Sequence, residues 1–99
     1  MESRKSMGES DSVFRALSDP TRREIIKLLR GGPQSSGDIA ARFPVAWPTI
    51  SRHLAVLRDA GIVSAERDGS SVWYELNATV LQELVEVIYD WTRKGGKDA

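Results

Sequence analysis

The 99-residue sequence has no cysteine and a single histidine, His53. Without cysteine there is no disulfide, no thiolate metal site and no cysteine nucleophile. One histidine without thiolates cannot supply the three or four ligands that a zinc site takes. Glycine-rich phosphate loops and clustered carboxylates are missing too, so no catalytic constellation can be assembled. The sequence therefore predicts a protein that is not an enzyme, holds no metal or cofactor and acts on no small-molecule substrate.

Long apolar runs are also missing. No segment approaches the roughly 20 apolar residues that cross a membrane, and the polar start of the chain lacks the apolar run of a targeting segment. We therefore expect a cytoplasmic protein. Its length predicts one domain, residues 11–94, between disordered tails at residues 1–10 and 95–99. A domain of this size has a modest core, which oligomerisation often completes.

The chain has no net charge, because 14 basic side chains balance 14 acidic ones. The two signs are nevertheless segregated along the chain. Residues 20–58 carry seven basic side chains against two acidic ones, and residues 59–92 carry seven acidic side chains against Arg67 alone. The first half can therefore face phosphate while the second faces solvent or a partner.

Apolar residues at helical spacing predict helices in the first half of the chain. A short first helix precedes a second, which begins where Asp19 is followed by proline at the first helical position. In this second helix Arg22 and Arg23 either contact phosphates or simply solvate the helix surface. Ser36 is expected to cap a third helix.

A fourth helix, from Pro48 to a stop at Gly61, organises the rest of the chain. Its apolar residues recur at i, i+4 and i+7, so one stripe faces a core. About 100° per residue around the helix axis places Ser51 and Arg52 away from that stripe. A helix that offers short hydroxyls, an arginine and little bulk suits a DNA major groove. With the third helix it forms a helix-turn-helix, in which Trp47 either packs on the turn or lies against the DNA backbone.

Two segments of alternating apolar residues flank Asp68-Gly69, a strong signal for a two-residue β-hairpin turn. That turn would set Ala65 opposite Val72. A lone hairpin is marginally stable, so it must pack on the helices. A helix-turn-helix followed by a hairpin is a winged helix, and the hairpin either contacts DNA or serves only as a structural hairpin.

A last helix follows a cap at Asn77 and ends before Gly95. Its apolar stripe is broader than a terminal helix on a small domain usually buries within its own chain. The stripe either packs on the same chain or forms a dimer seam with the first helix, and the two are compatible. The residues predicted for the seam are Val13, Phe14, Leu17, Leu81, Leu84, Val85, Ile88 and Trp91.

Together these elements predict a mainly α fold with a small β-hairpin. The fold class is α+β, a winged helix-turn-helix in the order α-α-α-α-β-β-α. The residues alone leave two classes of function open. One is a sequence-specific DNA-binding protein, and the other is a winged-helix module for protein–protein interaction whose basic half binds an acidic partner.

Three segments resemble the ArsR/SmtB family of winged-helix transcription repressors. They are ALSDPTRREIIKLL at 16–29, PTISRHLAVLRDAGIV at 48–63 and RDGSSVWYELN at 67–77. From Asn77 onward the chain further resembles the SdpR-like autorepressor branch, in which the repressor is encoded beside a membrane protein that helps relieve repression. The resemblance implies a homodimeric repressor that binds a palindromic operator in double-stranded DNA, with that membrane protein as a further partner.

Carried over by position, the resemblance implies which residues lie at the DNA. The bases would be read by Ser51, Arg52 and their neighbours. His53 would either be a hydrogen-bonded structural residue or lie near the DNA. The residues implied at or near the DNA are Ser36, Trp47, Pro48, Thr49, Ser51, Arg52 and His53, with Arg67 and Ser70 on the wing.

Two departures from the family pattern bear on function. The wing usually carries a basic residue after its glycine, and here Ser70 follows Gly69, which puts strong wing–phosphate contact in doubt. The family's metal sensors use a cysteine pair on the first helix of the helix-turn-helix, or Asp, His and Glu ligands on the last helix. Because cysteine is absent and the last helix has no histidine, we predict that this protein does not respond to metal.

Overall fold

The computed structural model describes residues 11–93. The predicted tails at residues 1–10 and 95–99 lie outside the described residues, as does Lys94. Residues 11–17 form helix α1. None of the described helices is long and apolar enough to cross a membrane. The other elements are α2 (Pro20–Leu29), β1 (Gln34–Ser35), α3 (Ser36–Ala41), α4 (Trp47–Asp59), β2 (Val63–Asp68), β3 (Ser71–Leu76) and α5 (Ala78–Thr92).

The predicted α+β class is confirmed, with one added strand. Strand β1 has only two residues and pairs with β3, Gln34 opposite Tyr74 and Ser35 opposite Trp73. The sheet therefore has three antiparallel strands in the order β1-β3-β2. Two residues are too few for an alternating pattern, so no periodicity in the sequence indicates β1.

Residues with extended backbone begin the helices. Asp19 caps α2 as predicted, and its carboxylate accepts a hydrogen bond from the amide three residues further on. The predicted cap of α3, Ser36, is wrong by one residue. Ser35 is the cap, and its hydroxyl accepts a hydrogen bond from the Asp38 amide at 3.1 Å. Pairing with β3 holds Ser35 extended, with ψ at 157°, which is the backbone that a helix cap needs.

The hairpin forms, but its register differs from the prediction. Ala65 lies opposite Tyr74 and not opposite Val72. This shift of two residues leaves the alternation of the two faces unchanged, because side chains alternate with period two. The cause is the turn, whose two loop residues are Gly69 and Ser70. Gly69 has φ at +66° and Ser70 does not have positive φ, which is the pattern of a type II′ turn.

One core holds the described helices and the sheet together. Helix α4 buries the predicted stripe of Ile50, Leu54 and Leu57. Gly61, with φ at +80°, follows α4 as the predicted stop, in a conformation that a residue with a Cβ rarely adopts. Burial of the stripe determines which side of α4 faces outward. The other buried residues of the core are Val13, Ala16, Ile25, Leu29, Ile39, Ile62, Val63 and Leu84.

Candidate nucleic-acid interface

The outward side of α4 carries the residues predicted to read DNA. Trp47 and Pro48 form its first turn. Arg52 is exposed opposite the buried stripe, and Ser51 is exposed on the flank between them. Thr49 is half-buried. Within residues 11–93 no ion pair holds the Arg52 guanidinium. An arginine in that position can donate two parallel hydrogen bonds to a guanine edge.

An aromatic ring lies at the start of α4. Trp47 keeps 49% of its surface exposed, so about half of the residue remains open to solvent. The exposed indole carries one N–H donor on a flat apolar body, which suits contact with the sugar–phosphate backbone. Ser36, the first residue of α3, is half-buried.

The tip of the wing is exposed but not basic. Arg67 and Ser70 both lie at the surface, Ser70 within the turn and Arg67 on β2, so they do not flank the tip as predicted. Along β2, however, Arg67 stands between the exposed carboxylates of Glu66 and Asp68. Like charges repel, so these two carboxylates oppose the approach of phosphate. The charge distribution therefore favours a weak contact between the wing and DNA.

His53 contacts the beginning of α2. Only 15% of its side chain is exposed. Its Nδ1 lies 3.1 Å from Nη1 of Arg22, and its Nε2 lies 3.8 Å from Oδ2 of Asp19. Of the two roles that the sequence left open for His53, these contacts favour the hydrogen-bonded structural one.

Arg22 and Arg23 bind the end of α1. Arg22 donates from Nε to the Ala16 carbonyl at 2.7 Å and from Nη2 to the Arg15 carbonyl at 3.1 Å. Arg23 donates from Nη1 to the Leu17 carbonyl at 2.8 Å. The last carbonyls of a helix have no partner inside the helix. These arginines satisfy two of them and add a donor to the Arg15 carbonyl, which also accepts from Ser18. Both side chains therefore make contacts with α1 that neither predicted alternative, phosphate contact or simple solvation, included.

The contact between Arg22 and His53 was missed by reasoning from the sequence. The two residues are 31 positions apart, and each alone has a common alternative explanation. One signal was available. Only two residues separate α1 from α2, so an arginine in the first turn of α2 can reach back to the carbonyls at the end of α1.

Asp19 is the carboxylate of this cluster. Desolvation acts to raise its pKa, but the amides of Arg22 and Thr21 and the nearby His53 and Arg22 side chains outweigh that effect. They hold the pKa of Asp19 below its ordinary value of 3.8.

The fold should therefore lose part of its stability in acid through Asp19. A carboxyl whose pKa is lowered by folding contributes stability that is complete above its unfolded pKa and is lost as the pH falls through the folded value. Asparagine at this position keeps a capping side chain but does not titrate. Urea unfolding of Asp19→Asn should show a smaller loss of stability than the wild type from about pH 5 to about pH 3. Equal losses in the two proteins would assign the acid sensitivity to other groups.

Comparison with known proteins agrees with this geometry. Residues 19–65 match the bacterial regulatory protein family arsR. Transcriptional repressor SdpR of Bacillus subtilis (strain 168) is 44% identical over 88 residues, which cover 89% of this chain and 98% of that protein. An ArsR-like transcriptional regulator from Rhodococcus sp. RHA1 has a similar structure, with a TM-score of 0.79 and 32% identity over 87% of this chain and 81% of that one.

A second solved structure of similar fold is described as a winged helix-turn-helix domain. It is the homodimeric winged helix-turn-helix DNA-binding domain of a possible ArsR-family regulator from Mycobacterium bovis, with a TM-score of 0.72 and 30% identity over 85% of this chain and 81% of that one. The family match runs from the cap of α2 into β2 and so includes the whole helix-turn-helix. The predicted resemblance is confirmed. The chain therefore belongs to the arsR family of bacterial regulatory proteins, as a winged helix-turn-helix transcription regulator and not an enzyme.

Proposed function

We propose that this protein is a homodimeric, sequence-specific transcription repressor that acts in the cytoplasm. The geometry of α4 carries the proposal, because its buried stripe fixes the helix while Ser51 and Arg52 stay exposed away from that stripe. Two such helices, related by a two-fold axis, enter successive major grooves of a palindromic operator. The half-sites then lie about 10 base pairs apart or a multiple of that.

Exposed apolar surface on α5 supports the dimer. Val85 is 62% exposed, Ile88 40% and Trp91 66%. Trp91 stacks on Phe14 of α1, with ring centroids 5.5 Å apart, so the two helices share one apolar face. Contiguous apolar surface of this kind usually marks an interaction site. The Mycobacterium bovis relative is homodimeric, which favours a second copy of this chain as the occupant.

The seam proposed from the structure is narrower than the one predicted from the sequence. Val13 and Leu84 are buried in the core of their own chain, so we leave them out of the proposed contact surface. Leu17, Leu81 and Phe14 are half-buried, and of these we keep Phe14 because it stacks on the exposed Trp91. Tyr89 is exposed on α5 and was not predicted. The proposed contact surface consists of Phe14, Val85, Ile88, Tyr89 and Trp91.

A gel shift tests the proposed function. Similarity to the autorepressor branch favours the DNA upstream of the protein's own gene as operator, and a membrane protein encoded nearby as the partner that relieves repression. The protein should retard that DNA in the presence of excess non-specific competitor. If it retards neither that DNA nor any duplex from a random library, the proposed function is wrong. The protein would then be a winged-helix module for protein–protein interaction.

Metal should not regulate DNA binding. Within residues 11–93 no three His, Asp or Glu side chains lie close enough together to hold a metal ion, and the whole chain lacks cysteine. Titrating zinc, cadmium or arsenite into the protein–operator complex should leave its affinity unchanged within error. Stoichiometric zinc binding that releases the DNA would contradict this prediction.

A further inference from the structure

We propose that the contact between Arg22 and His53 couples α1, a helix of the proposed dimer seam, to the recognition helix α4, and that His53 is a positioning residue. The effect of this contact on DNA binding rests on the proposed repressor function. The contact itself rests on the geometry of the single chain.

One guanidinium joins three helices. From its place in α2, Arg22 donates to two carbonyls at the end of α1 through Nε and Nη2, at 2.7 and 3.1 Å. Its Nη1 contacts Nδ1 of His53 in α4 at 3.1 Å. The guanidinium is planar and rigid, so the directions of its N–H groups are fixed relative to one another. Rotation of α4 about its own axis would therefore break the contact with His53 while the bonds to α1 remain.

The partners also determine the tautomer of His53. Arginine stays protonated in proteins and can only donate, so Nδ1 of His53 must accept. The proton of the neutral ring is then on Nε2, the nitrogen that faces the Asp19 carboxylate. Both ring nitrogens are thus turned toward residues at the start of α2. Only a small part of the side chain remains accessible to DNA.

This arrangement positions the reading residue. His53 directly follows Arg52, so fixing the histidine fixes the rotation of α4 and hence the direction in which Arg52 leaves the helix. At its other end the same guanidinium holds α1, which carries Phe14 of the proposed seam. Movement of α1 on dimerisation would therefore be transmitted to α4 through the Arg22 side chain.

Two measurements test the contact without DNA. In urea unfolding, the effects of Arg22→Gln and His53→Leu on stability should be coupled. The folding equilibrium constant of the double variant should be about ten times larger than the value expected if the two single losses simply multiplied. NMR of the 15N-labelled imidazole should show the tautomer protonated on Nε2. Independent effects of the two substitutions, or a proton on Nδ1, would overturn the proposal.

A third measurement tests the positioning role. A duplex selected from a random library by the wild type is compared with mixed-sequence DNA, and the ratio of affinities is recorded for each folded variant. His53→Leu and Arg22→Gln should both lower this ratio by about tenfold. His53→Asn should retain most of it, because the Asn Oδ1 takes the place of Nδ1 as an acceptor. The proposal is overturned if the affinity ratio falls in His53→Leu but not in Arg22→Gln, and His53→Asn does not restore it. That result would show that His53 contacts the bases itself.

Arg23→Ala is the matched control. Arg23 binds the end of α1 like Arg22, but within residues 11–93 no side-chain hydrogen bond or ion pair joins it to α4. This variant should lose stability and keep the affinity ratio. An equal fall in the ratio would show that any loosening of α1 has this effect and would overturn the specific role of His53. If the wild type selects no duplex at all, the repressor function fails, and the coupling is still decided by unfolding and NMR.

Discussion

Ile88→Glu is expected to convert the dimer into a monomer and to weaken operator binding by about a hundredfold or more. Ile88 lies on the exposed apolar face of α5, with Val85 and Trp91. In a single chain the new carboxylate reaches water from this position, so the fold should persist. In the dimer it would be buried without a partner, which is strongly unfavourable. A monomer holds one half-site only, so the gain from two linked binding events is lost.

Sedimentation and DNA-binding measurements check this result. Gln82→Glu is the matched control, because it makes the same change in charge at an exposed position of α5 outside the seam. It should remain dimeric and bind the operator as the wild type does. Leu84→Ala would not serve, since Leu84 is buried in its own chain and truncation would cost about 2–5 kcal/mol of folding stability. A wild-type protein that sediments as a monomer at micromolar concentration would contradict the seam.

Helix α4 shows what the sequence can predict. Ile50, Leu54 and Leu57 recur at helical spacing, and the structure buries all three. The stripe alone determines that Ser51 and Arg52 face outward, because rotation about the helix axis is fixed at about 100° per residue. The cap and stop signals were equally local, and Asp19 and Gly61 act as predicted. Local periodicity and backbone chemistry are therefore sufficient to predict the fold class and which side of α4 faces outward.

Features that depend on contacts between distant segments were not predictable in this way. Ser36 was predicted as a cap, but the pairing of Ser35 with Trp73 of β3 moves the start of α3 by one residue. Arg22 and His53 each have a common explanation when considered alone, and only the fold brings them together. Composition and spacing contain no information about such a pair.

The apolar stripe of α5 is an intermediate case. Its period correctly predicts an amphipathic helix, with Leu84 and Ile88 one turn apart on the same side. A stripe that wide includes both a side facing the chain's own core and a side facing a partner. Leu84 is buried and Val85 is largely exposed, although both are apolar and adjacent in sequence. Hydrophobicity alone does not distinguish the two surfaces, whereas the packing of α5 in the structure does.

Arg52 should contribute more to sequence reading than any other single residue. It is exposed in the first half of α4, opposite the buried stripe. Two parallel hydrogen bonds from arginine to guanine O6 and N7 contribute about 1–3 kcal/mol of discrimination. Lysine lacks the planar fork, so Arg52→Lys should keep the charge and relax specificity. Arg52→Ala should lose affinity for the operator far more than for random DNA, with little effect on folding because the side chain is exposed.

Affinities of Arg52→Ala for operator and random DNA, at two salt concentrations, distinguish base reading from phosphate contact. Loss of a phosphate contact would weaken binding to all sequences alike and would lower the salt slope by about one unit per contact in each half-site. Arg58→Ala is the control, because Arg58 is exposed in the last turn of the same helix, away from its reading end. It should leave discrimination unchanged. Equal losses of Arg52→Ala on both DNAs would assign Arg52 to the backbone and leave Ser51 and Thr49 as the readers.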